Sequence, residues 1–202
     1  MKNNYKIIDD VISISYQNLI ENEFNSNNFP YYFNDTINNN IEDNIYTDKR
    51  ITNAYGLSHT IYNCETKLIN SNYYFLVLPI LFSLEEKINI QIKEIKRIRV
   101  RRTTQNPNHN LEKFNPPHVD LAELEPYYSL VYYVEDSDGD TILFNKEYKN
   151  NEVFKSDNEK ILFRIPPKKG RGLFFKGKIY HSGNCPVKYI KRTIINFDFS
   201  IK

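Results

Sequence analysis

The feature that most constrains this chain is a change of texture near residue 95. From there on, short alternating or β-branched runs recur, cut apart by Gly, Pro, Asn and Asp. They are Ile95–Thr104, Pro117–Leu121, Tyr127–Val134, Thr141–Phe144, Lys160–Ile165, Arg171–Lys176, Ile179–Ser182 and Lys191–Phe199. Short runs at this spacing read as strands of a sandwich or barrel. Eight of them suit a double-sheet jelly roll. Helical patterns come before the strands rather than between them, which argues against a parallel βαβ sheet.

The first ninety or so residues are less legible. Val11–Ile20 starts as either a strand or a short helix. Asn25–Asn44 is rich in Asn and Asp and contains Pro30, so it is expected to be mostly loop. Tyr55–Tyr62 alternates weakly and reads as a strand. Ser71 is placed to cap a helix carrying Leu76, Ile80 and Leu84, which would cover one face of a sheet. The apolar run Tyr73–Leu84 contains Pro79 and is about half a membrane span, so it is read as buried core. The expected class is mainly β: a double-stranded β-helix (jelly roll) with N-terminal supporting helices and strands. One domain over 1–202 is expected, with 1–94 as support and 95–202 as the jelly-roll core.

Composition excludes several classes. Of the 202 residues 40% are hydrophobic and 26% charged, as in globular rather than disordered chains. The net charge of +2 implies no polyanionic partner. Cys64 and Cys185 make neither a disulfide framework nor a zinc cluster, so a reducing cytosol is the expected compartment. The opening MKNNYKIIDD lacks the apolar segment of a secretory leader.

Chemistry concentrates in the second and seventh runs. In a strand, residues i and i+2 point to one face, so His118 and Asp120 project together with Val119 turned away. A jelly roll can lay the second and seventh strands side by side, which brings in His181. Two imidazoles and a carboxylate form the facial triad of non-heme Fe(II) oxygenases, occupying one octahedral face and leaving positions for a chelating cosubstrate and dioxygen. A structural zinc site would be closed by four protein ligands instead. A lone HxD is a weak signal, and a lone His181 reads more simply as a hydrogen-bonded structural histidine. Arg192 strengthens the pattern. It stands eleven positions after His181, beyond a turn containing Pro186, at the start of the last strand. Its forked donors suit a carboxylate such as the distal one of 2-oxoglutarate. Arg192 shares its strand face with Ile194, Asn196 and Asp198, while Thr193, Ile195, Phe197 and Phe199 form the more apolar face. Either a polar pocket end or a bulge would reconcile these.

His118-Val119-Asp120, Tyr132-Tyr133, Gly139-Asp140-Thr141, the run Gly170–Phe175, Tyr180-His181-Ser182-Gly183 and Arg192-Thr193 together resemble the 2-oxoglutarate/Fe(II) oxygenase superfamily. The likeness is best with its prolyl-4-hydroxylase-like branch, including small bacterial and viral members. The resemblance implies Fe(II) on His118, Asp120 and His181. It implies 2-oxoglutarate on Arg192 and on Tyr133, the second tyrosine of the pair, with ascorbate as an auxiliary reductant. It also implies oxidative decarboxylation to succinate coupled to hydroxylation, by dioxygen, of a peptidyl residue, in the cytoplasm of a bacterial cell or virus-infected host. The turn reads Asp138-Gly139-Asp140 where many members have two glycines. The alternatives are hydroxylation of a small molecule or a nucleic acid, and a catalytically silent jelly-roll module. A cupin-like enzyme would need an HxH pair that is absent here.

Other features have plainer readings. Asp136, Asp138 and Asp140 fit a hairpin turn better than a calcium loop, because the glycine falls at the wrong place. As a strand, Arg97, Arg99 and Arg101 share one face opposite Ile98 and Val100. That face is read first as solvated, with an anionic substrate or nucleic-acid backbone as the functional reading. Lys168, Lys169, Arg171, Lys176 and Lys178 make a second basic cluster. No nucleic-acid motif accompanies either, and no membrane partner is expected. His59 and His109 are not expected to bind metal. His109 could border the site mouth, Glu123 and Glu125 could touch substrate, and Cys185 reads as a buried thiol.

Overall fold

The computed structural model describes residues 5–36, 48–66, 68–121, 125–149, 154 and 160–202. Among the described residues, two helices and eleven strands run in the order β1 (Tyr5–Ile8), α1 (Ile14–Asn25), β2 (Tyr32–Asn34), β3 (Gly56–Asn63), β4 (Leu68–Ile69), α2 (Tyr73–Ile88), β5 (Ile92–Thr104), β6 (Tyr128–Tyr133), β7 (Thr141–Glu147), β8 (Ile161–Ile165), β9 (Gly172–Lys176), β10 (Ile179–Gly183) and β11 (Lys191–Ile201).

The strands form two antiparallel sheets, as a jelly roll requires. The larger has the order β1-β9-β6-β11-β5-β3-β2, with β4 on β3. The smaller has the order β10-β7-β8. Seven of the eight runs expected after residue 94 are strands. The exception is Pro117–Leu121, which contributes a single antiparallel bridge, His118 to His181. Pro116 and Pro117 lack the N–H groups a longer ladder would need.

The central strands β6, β9 and β11 of the large sheet are buried on both faces, so they read as nearly continuous apolar runs. Leu130, Tyr132, Phe174, Ile195, Phe197 and Phe199 face the helices. Val131, Tyr133, Leu173, Phe175 and Ile194 face the small sheet, where Leu143, Ile165 and Ile179 meet them. This alternation answers the question posed by β11. Its apolar residues face the helices, and Arg192, Ile194 and Asn196 face a cavity between the sheets. No bulge is needed there: β11 keeps its register against β5 from Lys191 to Asp198.

The ambiguous segment after Val11 is a helix. Ser13 caps α1 by accepting from the Tyr16 N–H at 3.4 Å, and Gln17, Ile20 and Phe24 form its buried stripe. In α2 the buried stripe is Val77, Ile80, Leu81 and Leu84, while Phe75 and Phe82 are exposed, so only part of that apolar run is core. Asn72, not Ser71, is its N-cap; the Ser71 hydroxyl accepts from Tyr73 N at 3.3 Å. The loop expected over Asn25–Asn44 holds the short strand β2, whereas 37–44 lie outside the described residues. Asn89, in the left-handed conformation at φ 54°, ends α2 and turns the chain into β5.

Candidate active site

His118 and His181 lie directly opposite each other. Each donates its backbone N–H to the other's carbonyl at 2.9 Å. Opposed residues of an antiparallel pair project to the same face, so the two imidazoles meet there, with ring centroids 4.5 Å apart. Asp120, two positions on, joins them. The ligand atoms of His118, Asp120 and His181 all lie within 4.8 Å of one another.

Both imidazoles are oriented in the same way. His118 Nδ1 is 3.2 Å from the Pro116 carbonyl and His181 Nδ1 is 3.1 Å from the Ile179 carbonyl. A carbonyl only accepts, so each Nδ1 donates to it and each Nε2 is turned toward the cluster. Burial, then the neighbouring His181, hold His118 well below the usual histidine range, so it stays neutral. Nε2 of His181 stands 3.1 Å from Asp120 Oδ2, which is buried and has no hydrogen-bond donor. The two Nε2 atoms and the Asp120 carboxylate converge on one point, and a cation is what this donor set fits.

Asp120 is held from behind. Arg97 Nη2 donates to its Oδ1 at 2.7 Å, and Arg97 Nε donates to Asp198 Oδ2 at 3.0 Å. Asp198 is fixed in turn by Ser129 at 2.7 Å and Asn196 at 3.2 Å. Burial pushes the Asp120 carboxyl up, but His181, Arg97 and His118 outweigh it and hold it well below the usual carboxylate range. The ionised form, the one able to bind a metal, is favoured.

Arg192 is buried and lines the same cavity as the three ligands. The cavity opens to solvent and, counted with its mouth, encloses about 540 Å³. Arg192 Nη2 donates to Thr141 Oγ1 at 2.7 Å, and its Nε has no partner. Tyr133 donates to the same Thr141 hydroxyl at 2.7 Å, so it reaches the cavity through Thr141. Burial pushes Arg192 below its ordinary value and Tyr133 up to about 12. A buried guanidinium with an unmet donor suits a carboxylate.

Several other expectations meet the structure here. The face with Arg97, Arg99 and Arg101 is not solvated; it turns inward, with Arg97 on Asp120 and Arg101 on the cavity wall. The second basic cluster is mostly paired: Lys168 and Arg171 with Asp9, Lys169 with Glu21, and Lys176 with Glu147. Asp138 accepts backbone N–H groups of Val187 and Lys188 at 3.0 and 2.8 Å, so it pins the turn that leads to Arg192. Asp136 accepts from Lys169 N, and Asp140 sits near Arg164, so the three aspartates do separate jobs. His59 is buried among Phe29, Tyr32 and Tyr73. His109 bonds Asn184 at 2.8 Å, and Asn184 lines the cavity. Burial pushes the Cys185 thiol up to about 11, so it stays protonated beside Arg192. Glu125 is exposed, and Glu123 lies outside the described residues.

Arg97, Thr141 and Asp198 join the site beyond the ligand and anchor residues that the sequence points to. The alternation of β5 puts Arg97 with Arg99 and Arg101, and that of β11 puts Asp198 on the face of Arg192, but alternation alone does not say which face of the sheet looks at the cavity.

No family model matches the chain, and no curated protein matches it in sequence. Solved structures match in fold. The non-heme alpha ketoglutarate dependent epimerase SnoN from nogalamycin biosynthesis superposes with a TM-score of 0.63 at 10% identity, covering 98% of this chain and 78% of the other. A 2OG-Fe(II) oxygenase family oxidoreductase from Burkholderia pseudomallei gives 0.62 at 12%, covering 98% and 85%. A prolyl hydroxylase from Trichoplax adhaerens, in complex with a hypoxia inducible factor peptide fragment, gives 0.55 at 16%, covering 98% and 84%. The chain therefore has the fold of these oxygenases. No described helix is long and apolar enough to cross a membrane.

Proposed function

We propose that this chain is an Fe(II)- and 2-oxoglutarate-dependent oxygenase. In this reading His118, Asp120 and His181 hold the metal, and Arg192 holds the distal carboxylate of 2-oxoglutarate with Thr141 and Tyr133 behind it. The observation that carries it is one cavity containing both the converging ligand atoms and a buried guanidinium with an unmet donor. The fold it shares with known oxygenases supports the same reading.

When bound, Fe(II) and 2-oxoglutarate would supply the means to activate dioxygen and oxidise a C–H bond. The chain's own residues do the positioning. Three protein ligands leave room for a chelating cosubstrate. Arg97 occupies Asp120 Oδ1, so Oδ2 is the oxygen that would bind the metal. The backbone carbonyls of Pro116 and Ile179 fix the ring orientation of the two histidines. Arg192, oriented by Thr141, sets the direction in which a dicarboxylate enters.

For the oxidised molecule, a peptidyl residue with proline foremost is the reading carried forward, supported by the shared fold with a prolyl hydroxylase. Hydroxylation of a small molecule is the second reading, supported by the fold match to an epimerase, whose TM-score of 0.63 exceeds the 0.55 of the prolyl hydroxylase. Succinate formation is measured across peptide, amino-acid and nucleic-acid panels, with Fe(II) and 2-oxoglutarate each omitted in turn. Peptide-stimulated succinate that needs both supports the first reading. Stimulation confined to small molecules supports the second, and succinate independent of Fe(II) contradicts the oxygenase assignment.

A further inference from the structure

The HxD segment is short of main-chain support on its C-terminal side. Among the described residues it forms one bridge, His118 to His181. Continued in register, that ladder would set Asp120 opposite Ile179, but the Ile179 carbonyl meets His181 Nδ1 at 3.1 Å instead. Arg97 clamps the Asp120 side chain and leaves the backbone beyond it to be fixed by another group. A candidate ligand at the end of so short a strand needs a second anchor if its carboxylate is to stay aimed at the two imidazoles.

Tyr127, a buried residue, supplies one. Its hydroxyl accepts from the N–H of Leu121, the residue after Asp120, at 3.0 Å. Its one proton has two acceptors in reach, the Leu121 carbonyl at 2.9 Å and the Gly177 carbonyl at 2.8 Å. Gly177 lies in the turn between β9 and β10, just ahead of the strand that carries His181. It donates its own N–H back to the Tyr127 carbonyl at 2.8 Å. A Cβ at Gly177 would overlap the Tyr127 ring, so the ring lies directly on bare backbone there. Burial, then the charges of Asp120 and Asp198, push the phenol above its ordinary value, so it keeps the proton it donates. One phenol thus joins the chain just past one candidate ligand to the turn just before another.

We infer that Tyr127 is a positioning residue for the metal site: its hydroxyl stands in for the ladder bonds the HxD segment lacks and fixes Asp120 relative to His181. This rests on the metal-binding reading of His118, Asp120 and His181 and adds to it a residue outside the cavity. Tyr127 does not line the cavity, so it acts through the backbone of Leu121 rather than by touching a bound group. Its task differs from that of Arg97. Arg97 sets which carboxylate oxygen is free, and Tyr127 sets where the carboxylate stands. Such a coupling runs both ways: a hydroxyl that improves metal binding is itself held more firmly once metal is bound.

The test reads metal binding without turnover. The apoprotein is titrated with Co(II), whose visible bands report coordination geometry, and affinity is taken from chelator competition. Tyr127→Phe keeps the ring and removes the hydroxyl. It should raise the Co(II) dissociation constant about tenfold, the low end for losing a group that orients a ligand, and shift the bands. Tyr16→Phe is the control. It removes a phenol bonded to a backbone carbonyl, that of Leu76 at 2.7 Å, between the two helices, and should leave affinity and bands as they were. Unchanged affinity, unshifted bands, or an equal loss in both variants would each overturn the inference. If Tyr127→Phe does not fold, the unaltered chain decides. Co(II) should then slow hydrogen exchange of the Leu121 amide more than that of the Ile20 amide in α1, and equal slowing would overturn the inference. No Co(II) binding by the unaltered chain contradicts the metal-site reading instead, so the two failures are told apart.

Discussion

Arg97 Nη2 lies 2.7 Å from Asp120 Oδ1, behind the carboxylate oxygen that faces the two histidines. The same guanidinium reaches Asp198 Oδ2 through Nη2 at 2.8 Å and Nε at 3.0 Å, and so ties the HxD segment to the last strand. The link spans two elements that share no ladder, and it makes the orientation of a candidate ligand depend on the large sheet.

Replacing Arg97 with Gln should therefore act on both metal and fold. Losing a partner that orients a ligand typically weakens metal binding by about 10–100-fold. Leaving Asp198 buried without its cation should cost about 3–5 kcal/mol of stability. Chelator competition for Fe(II) and urea unfolding measure the two. Wild-type metal affinity in Arg97→Gln would show that Asp120 needs no such support.

Arg192 tests the cosubstrate end. Arg192→Gln removes the charge and should weaken 2-oxoglutarate by roughly 2–5 kcal/mol, the range for truncating one side of a buried charge pair. Arg192→Lys keeps the charge but loses the fork, so it should fall between Gln and wild type. Fe(II) affinity, measured separately, should change far less than 2-oxoglutarate affinity in both. The reverse order would place the cosubstrate elsewhere.

Gly139 gives a sharper geometric test. A Cβ there would lie 2.5 Å from the Asn184 carbonyl oxygen, 2.8 Å from Arg192 Cδ and 3.1 Å from Pro186 N. Two of these atoms are backbone, so the Arg192 stem or the turn must shift. Gly139→Ala should raise the 2-oxoglutarate dissociation constant about tenfold or more, since small misplacements of an anchor are costly. Unchanged binding would mean that the turn relaxes freely.

His109 carries a pH dependence. Burial, despite its bond to Asn184, holds its pKa below the ordinary histidine value. The unfolded chain then takes up a proton at a pH where the folded chain does not. The stability contributed is full above about pH 6.5 and declines as pH falls from there toward the folded value. Thermal melts between pH 7.5 and 5 should show a smaller acid-induced drop for His109→Gln than for the unaltered chain. An identical drop would mean that other groups account for all of it.

Much of the strand order was legible, because a strand buried on one or both faces leaves a period-two or continuous apolar record. Ile98, Val100, Leu130 and Phe174 left such a record, and so did the facing pair His118 and Asp120. The least legible parts depended on tertiary context. Nothing in Lys93–Arg102 says which side of β5 meets solvent, and the inward face of Arg97, Arg99 and Arg101 follows only once the helix-side core takes up Ile98 and Val100 and the cavity side takes up Arg97 and Arg101. Val11–Ile20 was ambiguous because its helical stripe includes the polar Gln17, which is buried by bonds to Asp10 and the Ile12 carbonyl. The Pro116-Pro117 pair hid how little ladder the second run would form.

The central claim is that His118, Asp120 and His181 bind Fe(II) in reach of a cosubstrate held by Arg192. Anaerobic titration of the apoprotein with Fe(II) and then 2-oxoglutarate tests it most directly. A visible charge-transfer band that saturates at one equivalent, followed by succinate on admitting oxygen, is the predicted result, with both signals lost in Asp120→Ala. No band and no succinate in the unaltered chain, or both signals retained in Asp120→Ala, would contradict it.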